Sequence, residues 1–276
     1  MTPRRAAPLG WLLGAALLAG CAGTQTGSVP AVPELPPLPA ATGAPRPGIG
    51  AADMRQLVDQ TLSPWRSVGM VATDPGGRCT GAVVGPRQVL TAAHCLLHPT
   101  SGAPLPPQQI TYVIAPSRQF PGRRVAVASY LTGPNFRVRP GMRPDPTSPP
   151  DSDWAVLFLD PAIPEAPPDF ILQLERGPVP PGTEMALGGY QADRPGLLVA
   201  DLACRVLGYG QDRQGRVMLR HSCTATGGSS GGPLLVRMPE GNWMVAGVGS
   251  MAINNQAGGW AVPTFAIWRA VAEMRR

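Results

Sequence analysis

Short apolar runs, separated by glycine, proline and polar residues, fill the chain from about Pro64 onward. Such runs with alternating apolar and polar positions predict β-strands. Six strands are predicted in the first half: Arg66–Thr73, Arg78–Val84, Gln88–Thr91, Gln109–Ala115, Arg123–Tyr130 and Asp153–Leu159. Seven are predicted in the second half: Phe170–Leu174, Glu184–Tyr190, Leu197–Gly208, Arg216–Ser222, Pro233–Arg237, Trp243–Ser250 and Trp260–Val262. Two sets of roughly six strands favour two barrels or sandwiches, joined near residues 160–169.

Three segments depart from the strand pattern. His98–Gln108 and Thr132–Asp151 are rich in proline and are predicted to be long surface loops. After Pro263, the apolar residues of Thr264–Arg276 recur at helical spacing, which predicts a short C-terminal α-helix over 263–276.

The composition supports an all-β protein. The 276 residues include 34 Gly and 35 Pro, and only 14% are charged, so turns are frequent and long amphipathic helices are few. The length allows one large domain or two small ones. The net charge of +6 comes entirely from arginine, because the chain has no lysine. These arginines are scattered rather than clustered, so we expect no nucleic-acid partner.

The N-terminus has the pattern of an export signal. Arg4 and Arg5 precede the apolar run Leu9–Leu18, which is too short to span a bilayer comfortably. The run ends in Leu18-Ala19-Gly20-Cys21, which resembles the lipobox of bacterial lipoproteins. The resemblance implies that residues 1–20 are removed and that Cys21 carries lipid. The alternative is an ordinary signal peptide with an accidental cysteine at its end.

The expected location follows from this lipobox. We expect an exported protein, lipid-anchored in the bacterial cell envelope, and Ala22 after the cysteine favours the periplasmic face of the outer membrane. Residues 21–50 are rich in proline, glycine and alanine and nearly free of charge, which predicts a semi-extended tether. The folded domain is then expected over 51–276.

Four further cysteines remain, an even number that suggests two disulfides in an exported chain. Three pairings are possible, and short local loops favour Cys79–Cys95 and Cys204–Cys223. The spacings do not match zinc motifs, and the three histidines are far apart in sequence. We therefore expect no metal and no cofactor.

Ser230 lies in the glycine-rich stretch Thr224–Pro233. A serine hydroxyl is a weak nucleophile that needs a base for its proton and donors for the oxyanion that forms. Glycine at 228 lets its N–H turn toward such an oxyanion, next to the N–H of Ser230. Taken alone, the stretch could equally be a Gly/Ser-rich turn between strands.

A base and an acid are also present. His94 follows an apolar strand within Thr91-Ala92-Ala93-His94-Cys95, and Asp153 precedes the apolar strand that begins Trp154-Ala155. Either residue alone is more often structural than catalytic. Asp153 could accept the second ring N–H of His94 and fix its tautomer.

In the order His94, Asp153, Ser230, these motifs resemble the chymotrypsin/trypsin-like serine peptidases. TAAHC and GSSGGP are similar to that family's His and Ser motifs, and DWAVL is similar to its Asp motif. The spacing of Cys79 and Cys95 matches the family's disulfide at the His loop. The resemblance covers about Pro64 to Arg276 and is closer to the bacterial glutamyl-endopeptidase-like branch.

The resemblance implies two six-stranded antiparallel β-barrels, at about 64–160 and 168–262, with the active site in the cleft between them. It implies that Ser230 is the nucleophile, His94 the general base and then acid, and Asp153 the residue that orients His94. The N–H groups of Gly228 and Ser230 would form the oxyanion hole.

Two positions depart from the digestive members of the family. Ser229 stands where they have an Asp that pairs with a new N-terminus, so we expect the oxyanion loop to form without activation cleavage. Thr224 occupies the expected base of the substrate pocket, and Ser250, Met251 and Ala252 its expected wall. Because no cationic residue is in view there, we expect a neutral pocket for small or medium side chains. His221 is expected to be structural.

The sequence therefore predicts a serine endopeptidase of the cell envelope that acts on protein or peptide substrates. One alternative is a catalytically silent binding module with the same fold. Another is a structural envelope lipoprotein, which would leave the His, Asp and Ser motifs unexplained.

Overall fold

The structure is a computed structural model, which describes residues 47–117, 121–163, 170–211 and 214–274. The predicted leader, Cys21 and most of the predicted tether lie outside these residues. In the part of the chain so described, no helix is both long enough and apolar enough to cross a membrane.

Six strands close the first barrel. The first strand of the described residues, β1 (Arg55–Leu57), belongs to the second barrel's sheet. The first barrel's strands are β2 (Val68–Thr73), β3 (Gly77–Gly85), β4 (Gln88–Thr91), β5 (Ile110–Ile114), β6 (Arg123–Thr132) and β9 (Ala155–Asp160). Between β6 and β9, a small hairpin pairs β7 (Val138–Arg139) with β8 (Arg143–Pro144). The barrel closes in the order β2-β3-β4-β9-β6-β5, and neighbouring strands are antiparallel, as predicted.

The second barrel also contains six strands. They are β11 (Glu184–Tyr190), β12 (Leu198–Gln211), β13 (Val217–His221), β14 (Pro233–Arg237), β15 (Trp243–Ala252) and β16 (Gly259–Pro263). The order β12-β11-β14-β15-β16-β13 closes because β12 also pairs with β13. Strand β1 adds to the sheet beside β12, and β10 (Gln173–Leu174) runs parallel to β15. Helix α1 (Thr264–Met274) ends the described chain.

Alternating side chains fill the barrels. In β9, Ala155, Leu157 and Leu159 are fully buried, while the residues between them are partly exposed. A single apolar cluster contains residues from both barrels, including Tyr112 of the first and Tyr190 of the second. The two barrels therefore share packed side chains, which fixes the loops that meet between them.

The predicted fold class is confirmed: the protein is all-β, with two antiparallel six-stranded barrels and one short C-terminal helix. Strand β1 and the β7–β8 hairpin were not predicted from the sequence. The segment Pro47–Gly50, which the sequence analysis assigned to the tether, lies against the second barrel. There the Gly48 N–H donates to the carbonyl of Ile253 (2.7 Å), and the Ala225 N–H donates to the carbonyl of Gly48 (3.0 Å).

Candidate active site

His94 lies on the 3₁₀ turn Ala93–Leu96, which directly follows β4 of the first barrel. The next residue, Cys95, forms a disulfide with Cys79 of β3, as predicted. The disulfide ties the turn to β3, and the turn also follows β4. The backbone that carries the imidazole is therefore attached to two strands of the first barrel. The second predicted disulfide, Cys204–Cys223, is also present.

Asp153 is the hydrogen-bond partner of His94. One carboxylate oxygen lies 2.8 Å from His94 Nδ1, and the other accepts the backbone N–H of His94 at 2.9 Å. The hydroxyl of Ser250 donates a further hydrogen bond to the oxygen that contacts Nδ1. Three donors therefore hold the carboxylate, and the carboxylate in turn fixes Nδ1 as the protonated ring nitrogen.

Opposite charges shift the pKa values of this pair. Burial disfavours the charged form of His94, but the charge of Asp153 and its hydrogen bond outweigh burial and raise the pKa of His94 above its ordinary value. Burial likewise opposes ionisation of Asp153, yet the charge of His94 and the hydrogen bonds from His94 and Ser250 lower the pKa of Asp153. The carboxylate is thus ionised near neutral pH, with the imidazole poised to accept a proton on Nε2.

Ser230 lies in a loop of the second barrel, between β13 and β14, whose peptide groups are held by hydrogen bonds. The carbonyl of Gly227 accepts the Ala192 N–H at 2.7 Å, and the carbonyl of Ser229 accepts the Gly232 N–H at 2.8 Å. In a trans peptide the N–H points away from the carbonyl of the same plane. The N–H groups of Gly228 and Ser230 are therefore aimed away from these contacts.

Both N–H groups are available to a ligand. In the described parts of the chain, neither the Gly228 N–H nor the Ser230 N–H donates a hydrogen bond. Gly228 has φ +94°, and a Cβ at this position would lie 2.5 Å from the carbonyl oxygen of Tyr190. Glycine is therefore required here, both for the backbone conformation and for the close approach.

Thr80 of β3 connects the first barrel to this loop. Its N–H donates to the carbonyl of Ser230 at 2.9 Å, and its hydroxyl donates to the carbonyl of Gly228 at 2.8 Å. The same hydroxyl accepts the N–H of Tyr190 at 3.0 Å. Cys95 Sγ, one residue from His94, lies 3.8 Å from the carbonyl oxygen of Ser230. The His turn and the Ser loop therefore meet at the junction between the barrels.

A cavity of about 680 Å³ opens beside Ser230. Its apolar lining includes Leu187, Ala192, Ala225, Met251 and Ala252. A second cavity, of about 340 Å³, is lined by His94 and Asp153 and shares Ser250 and Met251 with the first. The predicted wall residues thus line a cavity that continues from Ser230 toward the histidine.

Thr224, predicted at the base of this pocket, does not line it. It is fully buried, and its N–H donates to the Asp201 carboxylate at 2.8 Å. His221 does line the cavity, although most of its side chain is buried. Its Nδ1 accepts the N–H of Cys223, which leaves the ring proton on Nε2. Burial lowers the pKa of His221 to about 4, so the ring is neutral near pH 7.

The described residues bring Cys79, His94 and Cys95 together as a possible metal-ligand group. The two sulfurs are joined in a disulfide, so they provide no thiolate for a metal. The imidazole is already hydrogen-bonded to Asp153. This group is therefore unsuited to hold a metal ion.

Comparisons with known proteins place the chain in a family. A family model described as a trypsin-like peptidase domain matches residues 79–243, more than half of the chain. The chain belongs to this family. The trypsin-like peptidase match spans His94, Asp153 and Ser230, and it ends before the cavity wall at residues 250–252. No curated protein sequence matches the chain.

A solved structure described as a Glu endopeptidase in complex with MPD has the same fold. It matches with a TM-score of 0.61, covers 82% of this chain and 99% of that chain, and is 15% identical in sequence. At this identity the likeness shows the fold, which is the one predicted from the sequence.

Several residues of this trypsin-like peptidase site were not found from the sequence. Thr80 and Ala192 donate hydrogen bonds to backbone carbonyls of the serine loop, and no motif identifies either residue. Ser250 was predicted only as pocket wall, and its contact with Asp153 joins residues 97 positions apart. The DWAVL motif identifies Asp153, but it gives no indication that Ser250 donates a hydrogen bond to the Asp153 carboxylate.

Proposed function

We propose that this peptidase is a serine endopeptidase that cleaves peptide bonds through Ser230, His94 and Asp153. The observation that carries the proposal is the His94–Asp153 hydrogen bond of 2.8 Å beside a serine loop with two undonated N–H groups. A base held in one tautomer and two fixed donors for an oxyanion are what acyl transfer to serine requires.

The proposed reaction has two halves. The Ser230 hydroxyl attacks the carbonyl carbon of the scissile bond while its proton passes to His94 Nε2. The resulting oxyanion is stabilised by the N–H groups of Gly228 and Ser230, and its collapse expels the amine, which takes the proton from His94. The acyl ester on Ser230 is then hydrolysed by water in the same way, with His94 as base, and the acid product leaves.

Asp153 stabilises the imidazolium that forms in each half. The charge-assisted hydrogen bond to Nδ1 strengthens as His94 gains its proton. Ser250 supports this role because its hydroxyl holds the carboxylate oxygen that contacts Nδ1. No further charged group is needed to carry the proton between serine and leaving amine.

We propose an uncharged side chain at the cleaved position of the substrate. Arginine is absent from the described residues that line the larger cavity, and His221 is neutral there. Asp193 also lines the cavity, but both of its carboxylate oxygens accept hydrogen bonds from Arg55. The structural neighbour is described as a Glu endopeptidase, but a glutamate carboxylate in this cavity would find no cation. A peptide library varied at this position should favour small or medium neutral residues, and a preference for glutamate would contradict the proposal.

The activity is tested by hydrolysis of a peptide library by the full chain and by two serine variants. Ser230→Ala should abolish cleavage, whereas Ser129→Ala, on an exposed position of β6, should leave it unchanged. Cleavage by Ser230→Ala at the parent rate would exclude Ser230 as the nucleophile. A folded parent that binds peptides without cleaving them would favour the silent binding module.

The proposed location is the bacterial cell envelope, through lipid on Cys21. The support is the sequence pattern of the N-terminus, which leads from a charged start and an apolar run to Leu18–Cys21. In bacterial cells, Cys21→Ser should remove incorporation of labelled palmitate and release an active domain from the membrane fraction. A variant that still floats with membranes would contradict the lipid anchor.

A further inference from the structure

Arg55 of β1 is a charged side chain with no exposed surface, and its ion-pair partner Asp193 lines the substrate cavity. Its Nε and Nη2 donate to the two carboxylate oxygens of Asp53, both at 2.8 Å. Its Nη1 and Nη2 donate to the two oxygens of Asp193 at 2.9 and 2.8 Å. The remaining Nη1 proton is donated to Gln191 Oε1 at 2.6 Å. All five donors of the guanidinium are therefore used.

The charges around Arg55 are balanced. Asp53 and Asp193 supply two negative charges, and Arg194, whose Nη2 lies 3.8 Å from Asp53, supplies a second positive one. Burial alone would lower the pKa of Arg55, but the hydrogen bonds and charges of the two carboxylates raise it. Arg55 is therefore a permanent buried cation whose planar fork fixes the position of each partner.

Gln191 transmits this position to the serine loop. Its Oε1 accepts the Thr226 N–H at 2.8 Å as well as the Arg55 proton. The next residue, Ala192, donates its N–H to the carbonyl of Gly227. The peptide plane between Gly227 and Gly228 is the one that carries the proposed oxyanion donor. Two adjacent residues, Gln191 and Ala192, thus hold two peptide groups of the serine loop, 225–226 and 227–228, which are separated by one peptide group.

We propose that Arg55 is a positioning residue, which orients the Gly228 N–H through Gln191 and the 191–192 backbone. The inference rests on the proposed peptidase function, because its consequence is the binding of an oxyanion. It also accounts for how the loop is held although Ser229 provides no carboxylate. Arg55 is a cation on β1, which joins the second barrel's sheet, and its contacts order the serine loop.

Two pairs of variants test the role of Arg55 in the full chain. Arg55→Met removes the fork, and Arg205→Ala is the control because it breaks an exposed ion pair with Glu184 in the same barrel. Because Arg55→Met removes the buried cation that joins the partly exposed carboxylates of Asp53 and Asp193, a second pair of variants covers the case in which it fails to fold. Gln191→Met removes only the shared acceptor, while Gln191→Glu keeps it. The Gln191 pair therefore tests the path while Arg55, Asp53 and Asp193 all stay in place.

The readouts separate positioning from folding. Each variant is titrated with a fluorophosphonate, so that kcat refers to folded, reactive sites only. Affinity is then measured for a peptide boronate, which forms a tetrahedral adduct at Ser230, and for a product peptide, which does not. A purely structural role would change the folded fraction and the melting temperature but neither kcat per site nor the ratio of the two affinities.

We expect Gln191→Met and folded Arg55→Met to lose at least about tenfold in kcat, since small displacements of a catalytic group have large effects. KM should change by less than about threefold, and boronate affinity should fall together with kcat/KM. Arg205→Ala should remain close to the parent, and Gln191→Glu, which keeps an acceptor for Arg55 and Thr226, should recover most of the kcat that Gln191→Met loses. Unchanged kcat and boronate affinity in Gln191→Met would overturn the proposal while leaving the peptidase function intact. A folded parent that fails to react with the fluorophosphonate would instead overturn the proposed function, and this role with it.

Discussion

The hydroxyl of Thr80, on β3 of the first barrel, donates a hydrogen bond of 2.8 Å to the carbonyl of Gly228 in the serine loop of the second. The Thr80 side chain is completely buried, and its oxygen also accepts the N–H of Tyr190. The histidine and the serine come from different barrels, so their alignment depends on contacts of this kind. Thr80 fixes the peptide that follows the proposed oxyanion donor.

Replacement of Thr80 by Val should lower kcat/KM by about 10- to 100-fold, because misalignment of the Gly228 peptide weakens oxyanion binding. The variant should also lose about 1–3 kcal/mol of unfolding free energy, since a buried carbonyl and a buried N–H lose their partner. Thr80→Ser retains the hydroxyl and should stay within a few-fold of the parent. Steady-state kinetics and urea unfolding measure both effects, and equal kinetics for Val and Ser would exclude the role of the hydroxyl.

The pH dependence of kcat/KM should show an acid limb with a midpoint above 6.5. The reason is that His94 must be neutral to act as a base, and its pKa is raised by Asp153. Activity is therefore lost as the pH falls through this raised pKa. Asp153→Asn should move the limb to lower pH and reduce kcat by roughly 10⁴-fold, as the triad template predicts. A limb that does not move in Asp153→Asn would show that another group controls it.

Gly48→Ala should weaken substrate binding. Gly48 has φ +76°, and a Cβ there would lie 1.6 Å from the carbonyl oxygen of Ala225, beside the substrate cavity. The substitution must displace either the Pro47–Gly50 segment or the cavity wall. Gly76 is the matched control because it has φ +77° but nothing within 4 Å of its Cβ position. We expect KM to rise several-fold in Gly48→Ala only, and a similar KM for the two variants would contradict this account.

The stability of the protein should fall between pH 6.5 and 4 partly because of His221. Its pKa is lowered by burial to about 4 in the folded state, so the unfolded chain binds more protons over this range. For a shift of this size the loss is at most about 3 kcal/mol. His221→Gln should lose correspondingly less stability between these pH values than the parent, as measured by urea unfolding at pH 4.5 and 7. Parallel losses in the two proteins would show that His221 is not responsible.

The barrel strands could be predicted because apolar and polar residues alternate along each strand, as the buried and exposed faces of the barrel wall require. Strand β9, for example, has every second residue buried, and its bounds differ from the prediction by one or two residues at each end. Strand β1 has only three residues, of which one is a buried arginine. A charged residue next to a proline-rich segment gives no local indication of a strand, because its partners lie up to 138 positions away.

The candidate site also contains residues that local sequence motifs reveal and residues that only the tertiary structure reveals. His94, Asp153 and Ser230 lie in motifs that can be recognised one at a time. Thr80 and Gln191 act only through loops that the two barrels and β1 bring together, so their roles depend on the tertiary structure. Thr224 was predicted at the base of the pocket from the family resemblance, but its N–H donates to Asp201 and its side chain is fully buried.

The most direct test of a nucleophilic Ser230 is to map the site of a fluorophosphonate adduct. The full chain is incubated with the reagent, digested, and sequenced by tandem mass spectrometry, beside Ser230→Ala and Ser129→Ala. The account predicts a single adduct, on Ser230, in the parent and in Ser129→Ala, and none in Ser230→Ala. A folded parent without an adduct, or an adduct on another residue that persists in Ser230→Ala, would contradict it.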